Sequence, residues 1–258
     1  MDTHMEIDGF ALAYKENCID CRVLWENHCH AQFEMLAVLE GDIRIMVEGK
    51  TYRLSSGQVA VIPPLLYHTV TANKQGTYRR LTVLFDLSAL PAPLQPLFAS
   101  KGTELSIFFY NHLENLKHLL SDPNATFYAP LVKSKMVEML YRDIQAKESH
   151  PKSEVDACLA ELLSYIDRHL CEKILLDDLA AHTARSKSSV CHLFAEQMNT
   201  SPKQYILQKK LALADQWIRG GMPSTLAAMR VGYENYSNFY RLYRNHFGAS
   251  PAKPTRDP

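Results

Sequence analysis

Three histidines and one glutamate carry the most evident chemistry in the N-terminal half: His28-Cys29-His30, then Glu34, then His68. Two positions apart on an extended chain, His28 and His30 share a face. They can converge with Glu34 and His68 inside a folded sheet. Imidazole and carboxylate groups of this kind can hydrogen-bond a small organic molecule, with Trp25 nearby. The same His28, His30, Glu34 and His68 also form a sensible ligand set for a divalent metal. In a third reading these groups satisfy one another or bind water. Effector contact is the leading expectation; no cofactor is expected, and a metal on these four residues is the alternative.

A second set of polar side chains lies near the C-terminus, on two segments that repeat 49 positions apart. The first segment has Ser186, Val190, Leu193, Phe194, Asn199, Ser201 and Pro202; the second has Asn235, Phe239, Leu242, Tyr243, Gly248, Ser250 and Pro251. Each reads as a helix N-cap, an apolar stripe, a residue tolerant of left-handed backbone, and Ser-Pro as a stop. The outward residues are Lys187, Ser188, Cys191 and His192 in the first copy. In the second they are Tyr236, Ser237, Tyr240 and Arg241, with Arg244 further along. Two helix-turn-helix units of this kind can enter successive major grooves of double-stranded DNA, roughly 34 Å apart. Arg241 is suited to a bidentate grip on guanine, so the second unit is expected to be the more discriminating.

Other elements must position these residues. Leu159, Leu162, Leu163, Ile166 and Leu170 recur at helical spacing. Asp177 and Asp178 open a short helix before the turn Thr183-Ala184-Arg185. A long helix over about Lys203–Ile218 joins the units, buried through Tyr205, Leu207, Leu211, Ala214 and Ile218. Gly220 and Gly221 stop it, and Gly232 sits in the second turn. Upstream, Val23 to Trp25, Phe33 to Leu39, Ile43 to Val47, Thr51 to Leu54, Val59 to Ile62 and Leu81 to Phe85 read as short strands separated by Gly-containing turns. They predict a small β-barrel or double-sheet jelly roll. Pro91, Pro93 and Pro96 break the chain, and two amphipathic helices follow at about Glu104–Leu120 and Pro130–Lys147. The line Val132, Met136, Leu140, Ile144 can serve either as a dimer seam or as packing against the barrel. Glu148 to Glu154 (ESHPKSE) is the expected linker, giving domains 1–152 and 153–258.

The 258 residues carry 28 basic and 28 acidic side chains. Residues 155–258 hold 13 Lys+Arg against 10 Asp+Glu, leaving 15 against 18 in the remainder. That modest tilt favours the C-terminal part as the phosphate-contacting one, with weak and salt-sensitive nonspecific binding. No apolar run is long enough for a bilayer, and the start MDTHMEIDGF lacks a signal-peptide core. A cytoplasmic location and no membrane partner are expected. Cys18 and Cys21 form a lone C-x-x-C on a strand-like segment; free thiols are expected there.

Two stretches, LDDLAAHTARSKSSVCHLFAEQMNTSPKQYI and VGYENYSNFYRLYRNHFGASP, closely resemble the DNA-binding domain of the AraC/XylS transcription regulators, a likeness that covers residues 157–256. By that resemblance Ser188, Cys191 and His192, and Tyr236, Ser237, Tyr240 and Arg241, are the base-reading positions. The chain departs from the family at Leu175, where a Ser/Thr cap is usual, at Ser224 to Ala228, and at Thr255-Arg256 after Pro254. These departures predict looser packing of the second unit at its entrance and exit. The pattern His28-x-His30-x3-Glu34-x6-Gly41, with Gly57-x5-Pro63-x4-His68, resembles both cupin motifs, in which the three histidines and the glutamate can hold a divalent metal. Leu65 stands where those motifs have glycine, and Ala72 where they have asparagine.

The fold expected is therefore α+β: a cupin-like β-barrel with following helices, then an all-α domain with two helix-turn-helix units. The resemblance implies a non-enzymatic regulator, an activator by expectation, responding to a small-molecule effector for which carbohydrate is the family-based guess. It also implies a homodimer, with RNA polymerase a further candidate partner. The competing readings are a metal-dependent cupin enzyme with a DNA-binding appendage and a dimeric regulator without an effector.

Overall fold

The structure, a computed structural model, describes residues 2–19, 27–72, 76–100, 105–113, 129–145 and 155–251. Trp25 and the Val23–Trp25 strand expectation, Cys21, the Glu148–Glu154 linker, and Pro254 to Arg256 lie outside the described residues.

Among the described residues, nine strands make up the N-terminal part: β1 Asp2–Ile7, β2 Phe10–Ile19, β3 Phe33–Glu40, β4 Asp42–Val47, β5 Lys50–Ser55, β6 Gln58–Ile62, β7 His68–Ala72, β8 Gly76–Phe85 and β9 Ser106–Phe109. They form a six-stranded sheet in the order β1-β2-β8-β3-β6-β9 and a three-stranded sheet β5-β4-β7. All recorded pairings are antiparallel. Tight turns make this possible. Asp8 and Gly9 (φ 44° and 85°) close the first hairpin, and Glu48 and Gly49 (φ 47° and 77°) close β4–β5; two residues at positive φ suit the right-handed strand twist.

The large sheet is covered on both faces, so β3 is buried almost from end to end rather than alternately. Its Leu36 and Val38 meet Ile43, Ile45, Val47, Leu54 and Val70 of the small sheet. Met35, Ala37 and Leu39 face the other way, toward Phe98 of α1 (Gln95–Ser100) and Val132, Met136, Met139 and Leu140 of α2 (Ala129–Gln145). Ile144 packs at the edge of the same core. Of the two uses open to the Val132–Ile144 line, the chain employs it against its own sheet.

The helix expected over Glu104–Leu120 needs correction. Ser106–Phe109 is strand β9, paired with β6 from Gln58↔Phe109 to Val61↔Ser106. Ile107 and Phe108 are buried while Phe109 is exposed, so pairing with an open sheet edge overrides local helical pattern. Residues 114–120 lie outside the described residues.

The C-terminal part is helical: α3 Ala157–Arg168, α4 Leu176–His182, α5 Lys187–Met198, α6 Pro202–Arg219, α7 Ser224–Arg230 and α8 Tyr236–Phe247. The repeated start signals and left-handed stops act as read, whereas Ser201-Pro202 opens the next helix, the Ser201 side chain accepting from Gln204 N–H at 3.2 Å. Ser186 and Asn235 side chains accept from Ser189 N–H and Asn238 N–H at 3.2 and 3.1 Å. Asn199 (φ 49°) and Gly248 (φ 70°) end α5 and α8 in left-handed backbone. Leu175 has no side-chain cap to offer; Asp178 compensates by accepting the Leu175 N–H at 2.7 Å. At the entrance of the second unit, α7 begins at Pro223 without a side-chain cap.

Two cores support these helices. One joins α3, α4, α5 and the start of α6 through Leu159, Leu162, Ile166, Leu179, Phe194 and Tyr205. The other joins the end of α6 to α7 and α8 through Leu211, Ile218, Ala227, Phe239 and Tyr243. The first core also takes in Cys29, Met46 and Tyr67 of the sandwich, so the two domains share apolar contacts. Gly49 lies at this contact. A Cβ there would stand 3.0 Å from Leu159 Cδ2, on backbone that an alanine adopts only with strain. Gly49→Ala is expected to lower stability by about 2 kcal/mol, read as a lower urea midpoint for the full chain.

Candidate functional site

The His/Glu cluster sits at one mouth of the sandwich. Glu34 is the second residue of β3 and has the same parity as Leu36 and Val38, which puts it between the sheets. His68 opens β7. Residues 27–30 run beside it as an isolated antiparallel bridge, His28 N–H to His68 O and His68 N–H to His28 O, both 3.0 Å. Leu65 N–H donates to His30 O at 2.9 Å. The four side chains therefore converge as expected, their ligand atoms within 4.8 Å of one another.

Glu34 Oε2 is the centre. His30 Nε2 lies 2.9 Å from it, His68 Nε2 3.1 Å and His28 Nε2 3.7 Å. Burial acts to raise the Glu34 carboxyl, but hydrogen bonding with the three histidines outweighs it and holds the group well below the ordinary carboxylate range. For His68, burial and then the nearby His28 lower the imidazole, and Glu34 offsets this only in part. His28 is the open side of the cluster, its side chain 41% exposed against 0% for His68.

Leu65, at the position where the cupin pattern has glycine, keeps a left-handed backbone (φ 64°). Such a conformation costs a leucine roughly 1–2 kcal/mol. Its N–H bond to His30 O, and the bond its own carbonyl accepts from Lys209 Nζ at 2.8 Å, hold it there.

That lysine belongs to a junction between the domains that the sequence reading did not find. Glu48, at the β4–β5 turn, accepts from Tyr67 N–H at 2.8 Å, Lys209 Nζ at 3.0 Å and Tyr205 OH at 2.7 Å. Asp167 adds a second carboxylate to Lys209 at 2.9 Å. Burial works against the Lys209 ammonium, yet Glu48 and Asp167 outweigh it and hold it above its ordinary value. A second polar route starts at the cluster. Gln32 Nε2 donates to Asp86 at 3.3 Å, Arg219 lies 3.5 Å from Asp86, and Arg219 Nε donates to Asp215 at 2.7 Å. Asp215 also accepts from Tyr243 OH of α8. Asn27 Nδ2 donates to the Met198 and Asn199 carbonyls at 3.2 and 2.8 Å, and His246 Nε2 lies 3.4 Å from Cys29 O.

One signal could have revealed this junction. Gln208, Lys209, Ala212, Asp215 and Arg219 recur at helical spacing on the side of α6 away from its expected stripe, and all but Arg219 are buried. Charge in a buried register marks a partner surface. The expected stripe itself holds: Tyr205, Leu211, Ala214 and Ile218 are buried, Leu207 partly so.

The candidate reading faces point to solvent. Lys187, Ser188, His192, Tyr236, Ser237, Tyr240, Arg241 and Arg244 are exposed, and Cys191 is half-buried. Neighbours already engage several of them. Lys187 pairs with Asp177 at 2.6 Å, and His192 lies 3.4 Å from Glu196. Tyr236 OH is 2.8 Å from Ser224 Oγ, and Arg241 donates to Asn238 Oδ1 at 3.1 Å. Between the units, the buried Lys210 Nζ donates to Glu172 O at 2.6 Å and Val231 O at 2.7 Å.

Comparison with known proteins gives two domain matches. The AraC-like ligand binding domain family matches residues 10–168, and a helix-turn-helix domain family matches residues 179–256. The probable transcriptional regulator LumQ of Photobacterium leiognathi is 34% identical over 239 residues, covering 88% of this chain and 90% of LumQ. The uncharacterized HTH-type transcriptional regulator YdiP of Escherichia coli (strain K12) is 23% identical over 245 residues, 88% of this chain and 80% of YdiP. The HTH-type transcriptional activator RhaS of Klebsiella pneumoniae (strain 342) is 23% identical over 240 residues, 87% and 85% of the two chains.

Removing the junction lysine strands Glu48 in a largely buried position. Lys209→Ala is expected to cost about 3 kcal/mol, measured by urea unfolding. A Glu48→Gln/Lys209→Met pair should recover part of that loss, since both charges then leave together.

Proposed function

The chain belongs to the AraC family of DNA-binding transcription regulators with a ligand-binding domain, and from that footing we propose how its residues divide the work. Helices α5 and α8 enter adjacent major grooves. Lys187, Ser188, Cys191 and His192 contact DNA from the first, and Tyr236, Ser237, Tyr240, Arg241 and Arg244 from the second. Domain limits of 1–152 and 153–258 fit this division. One observation carries the reading: both faces lie open to solvent while the same domain is bonded from behind to the segments bearing the His/Glu cluster.

Arg241 supplies the best base discrimination, since its fork matches guanine O6 and N7. Ser188 and Cys191 are small, and His192 offers one nitrogen at a time, so the first unit chiefly sets position. The sandwich mouth at His28, His30, Glu34 and His68 receives the effector. A ligand need only favour one domain arrangement over another to change DNA binding. Carbohydrate as the effector class rests on family likeness alone. An activating role agrees with RhaS, a transcriptional activator. Cytoplasmic residence, a homodimer, contact with RNA polymerase and the lack of enzymatic activity complete the proposal. Among the described residues no helix is long and apolar enough to cross a membrane.

Selection of genomic DNA fragments by the purified protein, at fixed salt, tests the reading. The wild type should enrich one site with two half-elements about a helical turn apart. Arg241→Ala should lose discrimination at a single base position, by about 1–3 kcal/mol or roughly 5- to 150-fold. Equal, motif-free recovery by both proteins would refute the assignment of α8 as a base reader.

A further inference from the structure

The C-terminal ends of both reading helices rest on the same three residues of the sandwich. The last carbonyls of a helix have no partner within it. Asn27 supplies one to α5 from the other domain, its Nδ2 donating to Met198 O at 3.2 Å and Asn199 O at 2.8 Å. In the last turn of α8, His246 Nε2 donates to Cys29 O at 3.4 Å. Helix α6 holds the segment as well, Gln208 Nε2 donating to Asn27 O at 3.2 Å. The segment is in turn anchored in the sandwich. His28 and His68 exchange two backbone bonds of 3.0 Å, and Leu65 N–H donates to His30 O at 2.9 Å. The Cys29 side chain is buried in the core that contains Phe194 of α5 and Tyr205 of α6.

We propose that residues 27–29 brace the two helix-turn-helix units, so that the docked sandwich sets the tilt of α5 relative to α8. That tilt fixes the spacing of half-elements the protein accepts, and Asn27 is the positioning residue. The proposal rests on the assignment of α5 and α8 as the reading helices. The two pack in separate cores, Val190 and Phe194 in one, Phe239 and Tyr243 in the other. Lys210 ties the units through Glu172 O and Val231 O, neither of which belongs to a reading helix. The brace acts instead on the C-terminal ends of the helices themselves. The lever is long enough to matter. Helix α8 has 12 residues and is therefore about 18 Å long. Tilting it by about 10° about its braced end carries the reading end about 3 Å, close to one base-pair step.

The docked arrangement aligns the readers rather than hiding them. Lys187, Ser188, Tyr240 and Arg241 stay exposed while the bonds form at the opposite ends of their helices. A brace works only if the sandwich keeps its place, and Lys209 sees to that by bonding to Leu65 O and Glu48 at 2.8 and 3.0 Å. Side chains alternate along extended backbone. Asn27 accordingly faces the helices while His28 and His30 face the sandwich mouth, and it can be replaced without altering the His/Glu cluster.

Full-length protein carrying Asn27→Ala, or the near-isosteric Gln208→Met, provides the test. The DNA probes hold the two half-elements that the wild type enriches, at its preferred spacer and at one base pair more or less. They are titrated at fixed salt beside a probe with a single half-element. Asn27→Ala should cut the preference for the native spacer by about fivefold and Gln208→Met by about threefold, with single-element binding unchanged. Without DNA, amide exchange in the last turn of α5 should quicken about fivefold in Asn27→Ala. A spacer preference unaltered in both variants overturns the proposal. Tighter binding by both variants at every spacer overturns it too, since the sandwich then restrains the helices instead of aligning them. Unchanged exchange overturns the brace itself. A wild type that enriches no paired half-elements overturns the reading assignment and the spacing role with it, while exchange reports separately on the brace.

Discussion

Glu48 reaches from a β-hairpin turn into the helical domain, where its carboxylate gathers the Tyr67 N–H, the Lys209 ammonium and the Tyr205 hydroxyl. Lys209 is buried and still charged, so it must keep its carboxylates wherever it goes. This requirement limits how the two domains can be arranged. Sliding one past the other would separate the ammonium from Glu48 before any apolar contact could repay the loss. The positive-φ turn at Glu48-Gly49, the close approach to Leu159 and the strained Leu65 all serve the same junction.

The burial of α6 shows what that constraint does to a helix. One side packs on Leu211, Ala214 and Ile218 with α7 and α8, and a neighbouring side meets the sandwich through Gln208, Lys209 and Arg219. Strand β3 is treated likewise, apolar toward both the small sheet and α2. Strand β3 and helix α6 thus each pack on two sides at once. These two elements lie near the His/Glu cluster, β3 through Glu34 and α6 through the bonds to Leu65, Tyr67 by way of Glu48, and Asp86.

Much of the architecture was legible because local signals and tertiary packing agree. The 49-residue repeat placed caps, stripes and stops that the helices use, and Gly-containing turns separated the middle strands correctly. Alternation put His28 and His30 on one face, as observed. Most of the differences arise where packing decides. The 106–109 stretch pairs as a sheet edge against local pattern. The first hairpin was overlooked although Asp8-Gly9 between apolar residues is a turn signal. The Glu48–Lys209 and Asp86–Arg219 links join residues 161 and 133 positions apart, and no local pattern can pair them. Only the charges in a buried register of α6 hinted at a partner.

Lys210 has a consequence for the DNA itself. By donating to Glu172 O on one side and Val231 O on the other, it holds the two helix-turn-helix units as a gauge of fixed span, one that cannot lengthen without losing buried hydrogen bonds. Each base pair added between two half-elements moves the second by about 3.4 Å and turns it by roughly 35°. A reader this stiff leaves the duplex as the compliant partner, obliged to overtwist or bend until the grooves come into phase. On that footing the base steps between two half-elements would contribute to recognition through how easily they deform.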